Sequence, residues 1–122
     1  MPTVLIIDDD VPICRLVGTI LTLDGFQVFG AHSADKGLDL ARELNPDVIL
    51  MDIRLPGMDG YEAIRTLKAD DQLKDIPVIA VTAQGDSEQA FAAGCADFMQ
   101  KPFSPAQLRN AVGQLIEVAV NT

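Results

Sequence analysis

The sequence predicts an α/β fold, a doubly wound (βα)5 three-layer sandwich around a five-stranded parallel sheet. Short β-branched runs alternate with longer amphipathic stretches from one terminus to the other. Three of the runs, residues 4–7, 48–51 and 78–81, are almost wholly apolar, which suits strands covered by helices on both faces. The 122 residues, 48% of them apolar, are one domain's worth of chain, and no Ser/Gly-rich linker, repeat or low-complexity tract divides them.

The first strand, 4–7, leads into a helix with Asp10 as N-cap and Pro12 in its first turn. Ile13, Leu16, Val17, Ile20 and Leu21 recur along it, and Gly25 ends it. The second strand, 27–30, is less apolar and belongs nearer an edge. Ser33 caps a second helix carrying Leu38, Ala41 and Leu44, ended by Asn45-Pro46. After the third strand, 48–51, Asp59 caps a helix with Tyr61, Ile64 and Leu67 at helical spacing, expected to end before Pro77. The fourth strand, 78–81, precedes a short helix, Ser87–Ala93, stopped by Gly94, and the fifth, 97–99, is again an edge candidate. Ser104, Pro105 and Gln107 make a capping box with Pro at the first helical position. Leu108, Ala111, Val112, Leu115, Ile116 and Ala119 trace one face of the last helix.

Nine Lys and Arg against 18 Asp and Glu give a formal net charge of −9. That balance argues against binding nucleic acid or an anionic membrane through their phosphates. The apolar content argues against a disordered acidic tail. Cys14 and Cys95 stand far apart without metal-ligand spacing and are read as reduced, buried thiols. The first apolar run stops after Ile7, so neither a signal peptide nor a membrane span is expected, and the expected compartment is the cytoplasm.

Ligands of a doubly wound sheet bind beyond the carboxyl ends of its strands. There the sequence places Asp8, Asp9 and Asp10 after the first strand, Asp52 after the third, Thr82 after the fourth and Lys101-Pro102 after the fifth. Each alone has a plainer reading: an acidic triplet is commonly a helix cap or a solvated turn, a lone Asp a turn residue, a Lys-Pro pair a piece of surface. Together they gather carboxylates that would repel by roughly 4 kcal/mol per close pair at a protein surface. A hard divalent cation relieves that repulsion, and oxygen-only ligands in an open site suit Mg²⁺. Asp52, fixed on a rigid strand end, can act as a nucleophile toward phosphorus, with Thr82 and Lys101 contacting phosphoryl oxygens.

The motifs Val4-Leu-Ile-Ile-Asp8-Asp9-Asp10, Pro46-Asp-Val-Ile-Leu-Met-Asp52, Leu55-Pro-Gly-Met-Asp-Gly60, Val81-Thr82-Ala83, Ala93-Gly94-Cys95-Ala96-Asp97-Phe98 and Lys101-Pro102-Phe103 follow one another in order. In them the chain resembles the receiver domain of two-component response regulators, the CheY-like superfamily, over essentially its full length. The resemblance implies a flavodoxin-like strand order 2-1-3-4-5 and reads residues 1–122 as a single receiver domain with no output domain. It implies that Asp52 is the phospho-acceptor and that Asp8 and Asp9, with Asp52 and the Arg54 backbone carbonyl, hold Mg²⁺. Asp10 is then the helix cap. Thr82 is implied as the switch hydroxyl, Lys101 as the phosphoryl-binding cation, Phe98 as the aromatic switch, and Pro102 as a cis proline that helps aim Lys101. The implied partners are a sensor histidine kinase or histidine phosphotransfer protein as donor and a downstream protein target, with no direct nucleic acid or membrane partner and a monomer as default. The chain is then no turnover enzyme, although it promotes its own aspartyl phosphorylation and dephosphorylation.

Three features depart from that pattern. Arg54 and Gln84 stand where side chains overhang the site and tune the lifetime of the acyl phosphate. Phe98 has no hydroxyl, so a switch there works through packing alone. The stretch from Thr82 to Lys101 is shorter than is usual in the family by about one helical turn, roughly three residues, which puts a standard output surface in doubt. Rival readings are weaker. Asp8-x-Asp10 followed by Val11-Pro12 is a poor haloacid-dehalogenase-type phosphatase motif, and aspartates after the first strand would repel a flavin phosphate. A phosphorylation-independent, receiver-like interaction module is the alternative that the sequence leaves standing.

Overall fold

Apolar strands pair in parallel to form the sheet, and amphipathic helices return the chain across both of its faces. The structure, a computed structural model, describes residues 2–55, 58–82 and 87–121. Its elements are β1 (Thr3–Ile7), α1 (Val11–Leu23), β2 (Gln27–Ala31), α2 (Ala34–Leu44), β3 (Val48–Asp52), β4 (Arg54–Leu55), β5 (Met58–Asp59), α3 (Gly60–Ala69), β6 (Val78–Thr82), α4 (Ser87–Ala93), β7 (Asp97–Gln100) and α5 (Pro105–Asn121). The main sheet runs β2-β1-β3-β6-β7, every pair parallel. Counted along this sheet alone that is the expected 2-1-3-4-5 order, with the two less apolar strands at the edges.

Strand alternation divides the core into two halves. Leu5, Ile7, Ile49, Met51, Val78 and Ala80 face α2, α3 and α4, whose Leu38, Ile64, Leu67 and Ala90 cover them. Val4, Ile6, Val48, Leu50, Ile79 and Val81 face α1 and α5, under Val17, Leu21, Leu108 and Val112. The caps fall where the sequence places them. Asp10 accepts from the Ile13 amide at 3.3 Å, Ser33 from Lys36 at 3.3 Å and Asp59 from Tyr61 at 3.0 Å. Ser104 and Gln107 cap α5 reciprocally, at 2.8 and 3.1 Å.

One detail differs from the expectation. Residues 54–55 and 58–59 pair as a short antiparallel ladder where the sequence predicts only a turn. Helix α3 ends at Ala69, before Pro77 as expected. Asp70 leaves the helical region there (φ −89, ψ 120), and its carboxylate accepts from the Gln72 amide at 2.8 Å, a local turn that competes with helix. The turn then buries Leu73 completely, and Lys68 Nζ donates to the carbonyls of Lys74 and Ile76 at 3.1 and 2.8 Å.

Candidate functional site at the carboxyl edge of the sheet

Strand register brings the predicted residues together. Ile7 pairs with Met51 and Asp52 with Val81, so Asp8 emerges beside Asp52 at the ends of the two central strands. Thr82 pairs with Gln100, and the Lys101 amide donates to the Thr82 carbonyl at 2.8 Å, which fixes the start of the lysine's loop. The Lys101–Pro102 peptide is cis. Lys101 Nζ lies 2.8 Å from Asp8 Oδ2 and 3.6 Å from Asp52 Oδ2, bridging the two carboxylates.

Asp8 and Asp52 are 2% and 7% exposed. Asp9 is exposed, and one oxygen from each of Asp8, Asp9 and Asp52 lies within 4.8 Å of the others. Ile13, Val17, Met99 and Phe103 line the small space below Asp8 and Asp52, about 10 Å³ and at the lower limit for one water. Burial in that apolar seat pushes the Asp52 carboxyl up to about 6. The Arg54 amide, donating to Asp52 Oδ1 at 3.1 Å, works against the rise, the Asp8 charge adds to it, and Lys101 subtracts from it. Burial alone would lower the Lys101 pKa, but the Asp8 hydrogen bond and the charges of Asp8 and Asp52 raise it above the ordinary value.

When ionised, three carboxylates facing one ammonium leave a formal charge of −2 in one pocket. The donors are all oxygen and sit on an open edge, so the site fits a hard divalent cation such as Mg²⁺ and offers nothing that favours zinc. Asp10 stays apart as the helix cap, and its own amide donates to Asp8 Oδ1 at 2.9 Å.

Thr82 is fully buried and shares strand parity with Val78 and Ala80, on the side of α2, α3 and α4. Phe98 is half-buried, packs against that same half of the core, and also borders an open cleft of about 540 Å³ between β7 and α5. The hydroxyl and the aromatic ring therefore belong to one side of the sheet, while Asp8 and Asp52 stand over the other. Arg54 is exposed. Gln84, Ala83, Gly85 and the Pro56-Gly57 turn lie outside the described residues.

Sequence reasoning did not foresee three features. Lys101 is bonded directly to Asp8, a cross-sheet contact that no local spacing announces. Cys14 Sγ lies 3.4 Å from the Asp8 carbonyl, and burial pushes its thiol up to about 11, as it also does for Cys95. Both cysteines are free and buried, as expected. Gly60 packs against the backbone of Asp52 and Ile53; the Asp-Gly pair before an amphipathic run was its only signal.

The strand order and the acidic pocket at its carboxyl edge define a CheY-like flavodoxin fold. Residues 4–113 match the family model for the response regulator receiver domain, and the chain belongs to that family. It is 41% identical over 105 residues to the polar-differentiation response regulator DivK of Brucella ovis, covering 84% of this chain and 85% of DivK. It is 40% identical over 119 residues to the DNA-binding dual master transcriptional regulator RpaA of Synechocystis. That match covers 95% of this chain but only 49% of RpaA, so the chain spans about half of that relative's length. Among solved structures it resembles the receiver domain of the sensor histidine kinase PA1611 of Pseudomonas aeruginosa, which holds a magnesium ion in its active-site cleft. There the identity is 32% and the TM-score 0.87, with 95% of this chain and 98% of that one covered. No helix among the described residues is long and apolar enough to cross a membrane.

Proposed function

We propose that the chain accepts a phosphoryl group on Asp52 from a phosphohistidine and, once modified, changes the surface it offers to a protein target. The observation that carries this reading is the buried Asp52 carboxylate, with Lys101 Nζ at 3.6 Å and carboxylate oxygens of Asp8 and Asp9 within 4.8 Å. Asp52 is held at a strand end, and the Arg54 amide on Oδ1 leaves Oδ2, the oxygen nearer Lys101, directed into the pocket.

In the transfer, an Asp52 oxygen attacks phosphorus in line and the phosphorus–nitrogen bond to the donor imidazole breaks. The nitrogen keeps the bonding electron pair and takes up a proton. Asp8, Asp9, Asp52 and the Arg54 carbonyl are the residues that would hold Mg²⁺, which when bound supplies positive charge to the transferring oxygens. Lys101 turns from Asp8 toward the phosphoryl group, exchanging one anion for another. Thr82 donates its hydroxyl to a phosphoryl oxygen, and Phe98, on the same side of the sheet, repacks in response. A covalent phosphoryl group thus biases a conformational equilibrium of β7 and its neighbouring helices. Arg54 and Gln84 tune hydrolysis of the acyl phosphate.

The same reading makes this chain one receiver unit, not a turnover enzyme, acting in the cytoplasm as a monomer. Its donor is a sensor histidine kinase or phosphotransfer protein, and its output passes through protein contact. Incubation with acetyl phosphate and Mg²⁺, followed by intact-mass analysis, tests the proposal. Wild type gains one phosphoryl group, and neither Asp52→Asn nor a chelator-treated sample does. Failure of wild type to gain the group, or gain by Asp52→Asn, would favour the phosphorylation-independent module instead.

A further inference from the structure

The described glycines differ in what stands where a side chain would grow. A Cβ on Gly37 would meet the Ile7 side chain, and one on Gly94 the Lys68 side chain. Both neighbours are side chains that can shift. At Gly60 all three nearest atoms are backbone: Ile53 Cα at 2.4 Å, the Asp52 carbonyl oxygen at 2.6 Å and the Ile53 carbonyl oxygen at 2.8 Å. The first is about 1 Å short of ordinary contact, which begins near 3.4 Å. Gly60 has no left-handed φ, so room alone, and not backbone conformation, demands glycine there.

The contact falls on the peptide that carries the acceptor. The Gly60 amide donates to the Ile53 carbonyl at 2.9 Å, the Ile53 amide to the Val81 carbonyl at 3.1 Å, and the Arg54 amide to Asp52 Oδ1 at 3.1 Å. Arg54 pairs with Asp59, whose carboxylate caps α3 through the Tyr61 amide. The chain from Asp52 to Gly60 therefore leaves β3, turns back and seats the first residue of α3 against the Asp52–Ile53 peptide. The far side of that peptide is pinned to β6 and cannot yield freely.

We infer that Gly60 is a positioning residue: by lacking a side chain it lets the start of α3 close on the Asp52–Ile53 peptide, and so sets the Asp52 carboxylate and the Arg54 carbonyl in register with Asp8 and Asp9. The inference rests on the phospho-receiver reading for its chemistry, but its geometry concerns cation binding as well as transfer. Displacements near 1 Å at a transfer site cost about 100-fold, and loss of support for metal ligands costs about 10- to 100-fold in affinity.

The test compares wild type, Gly60→Ala and Gly94→Ala. The last is strained at φ +113 and crowds Lys68, away from the site, so it serves as a merely destabilised control. Mg²⁺ affinity is measured by calorimetry and the rate of acetyl-phosphate labelling by mass, at a temperature where each variant is folded. Gly60→Ala is expected to weaken Mg²⁺ binding by about tenfold or more and to slow labelling by at least as much, whereas Gly94→Ala loses thermal stability and keeps both values. A folded Gly60→Ala protein within about twofold of wild type in both would overturn the inference. Should Gly60→Ala not fold, the Gly60 amide resonance of wild type decides. It is expected to be protected from exchange and to shift on Mg²⁺ addition, and an unprotected, unresponsive amide overturns the inference. Wild type that binds Mg²⁺ but takes no phosphoryl group would remove the phospho-acceptor reading and leave the affinity comparison to judge Gly60. Wild type that binds no Mg²⁺ overturns the inference together with the metal site.

Discussion

Polar groups at the amino-terminal edge of the sheet are paired with partners of complementary character, whereas those at the carboxyl edge are crowded with like charge. At the first edge Thr3 and Asp47 exchange two hydrogen bonds, at 2.7 and 2.8 Å. Arg42 reaches Asp70 at 3.2 Å, the Gln72 side chain donates from Nε2 to the Arg42 carbonyl and to Asn45 Oδ1, and Lys68 closes the 70–76 turn through two carbonyls. At the second edge two buried carboxylates share a single ammonium, and the exposed Asp9 carboxylate stands beside them. One edge uses polarity to hold helices to strands. The other retains a deficit of positive charge, which the fold tolerates because rigid strands fix Asp8 and Asp52 from below.

The contrast can be broken most strongly at Lys101. Lys101→Met leaves Asp8 and Asp52 without their shared cation, and removing one partner of a buried pair costs about 3 to 4 kcal/mol. Denaturant unfolding at pH 7.5 in chelator should show that loss, and added Mg²⁺ should recover much of it. Equal midpoints for variant and wild type in chelator would mean that the edge is not under electrostatic stress.

Asp52 gives the next largest effect, with opposite sign. Its folded pKa of about 6 lies above the ordinary 3.8, so the native state binds this proton more tightly than the unfolded chain does. Its contribution to stability is full below pH 3.8, declines as pH rises through about 6, and is absent above. Asp52→Asn lacks that decline. Each tenfold difference in proton affinity between the folded and unfolded states is worth about 1.4 kcal/mol. In chelator the variant should therefore match wild type near pH 4 and exceed it at pH 7.5 by up to about 3 kcal/mol. Mg²⁺ should reverse the ranking at pH 7.5 by stabilising only wild type. Thermal unfolding across pH with and without the metal checks both halves.

At the paired edge the expected losses are smaller and independent of metal. Lys68→Met gives up two charge-assisted bonds to carbonyls but also relieves the burial that lowers the Lys68 pKa, for a net loss of about 1 kcal/mol. Its Mg²⁺ affinity should equal that of wild type. Smallest of all, Gly18→Ala in α1 and Gly113→Ala in α5 should raise stability by about 0.5 to 1 kcal/mol. A Cβ meets only Val28 Cγ1 at 4.0 Å in the first case and nothing within 4 Å in the second. Differential scanning calorimetry resolves changes of this size.

Much of this was readable from local pattern. The alternation of apolar runs gave the strands, and Asp10, Ser33, Asp59 and Ser104 marked helix starts because a side-chain oxygen beside unpaired amides is a local device. The sequence placed the end of α3 only as somewhere before Pro77; the stop at Ala69 is set by the Asp70 turn, which competes with helix and is completed by Leu73 burying itself in a core that the sequence does not display. The ladder at 54–55 and 58–59 was missed because so short a pairing carries no period of its own.

By itself the sequence determined the fold class, the strand ends that carry Asp8, Asp52, Thr82 and Lys101, and the oxygen-only character of the pocket, since residue type and local periodicity suffice for these. Tertiary structure alone decided that Lys101 sits on Asp8, that Thr82 and Phe98 share one side of the sheet while the carboxylates occupy the other, and that Gly60 abuts the Asp52–Ile53 peptide. Those depend on register between strands distant in sequence and on backbone separations of a few ångströms, which only the packed sheet sets.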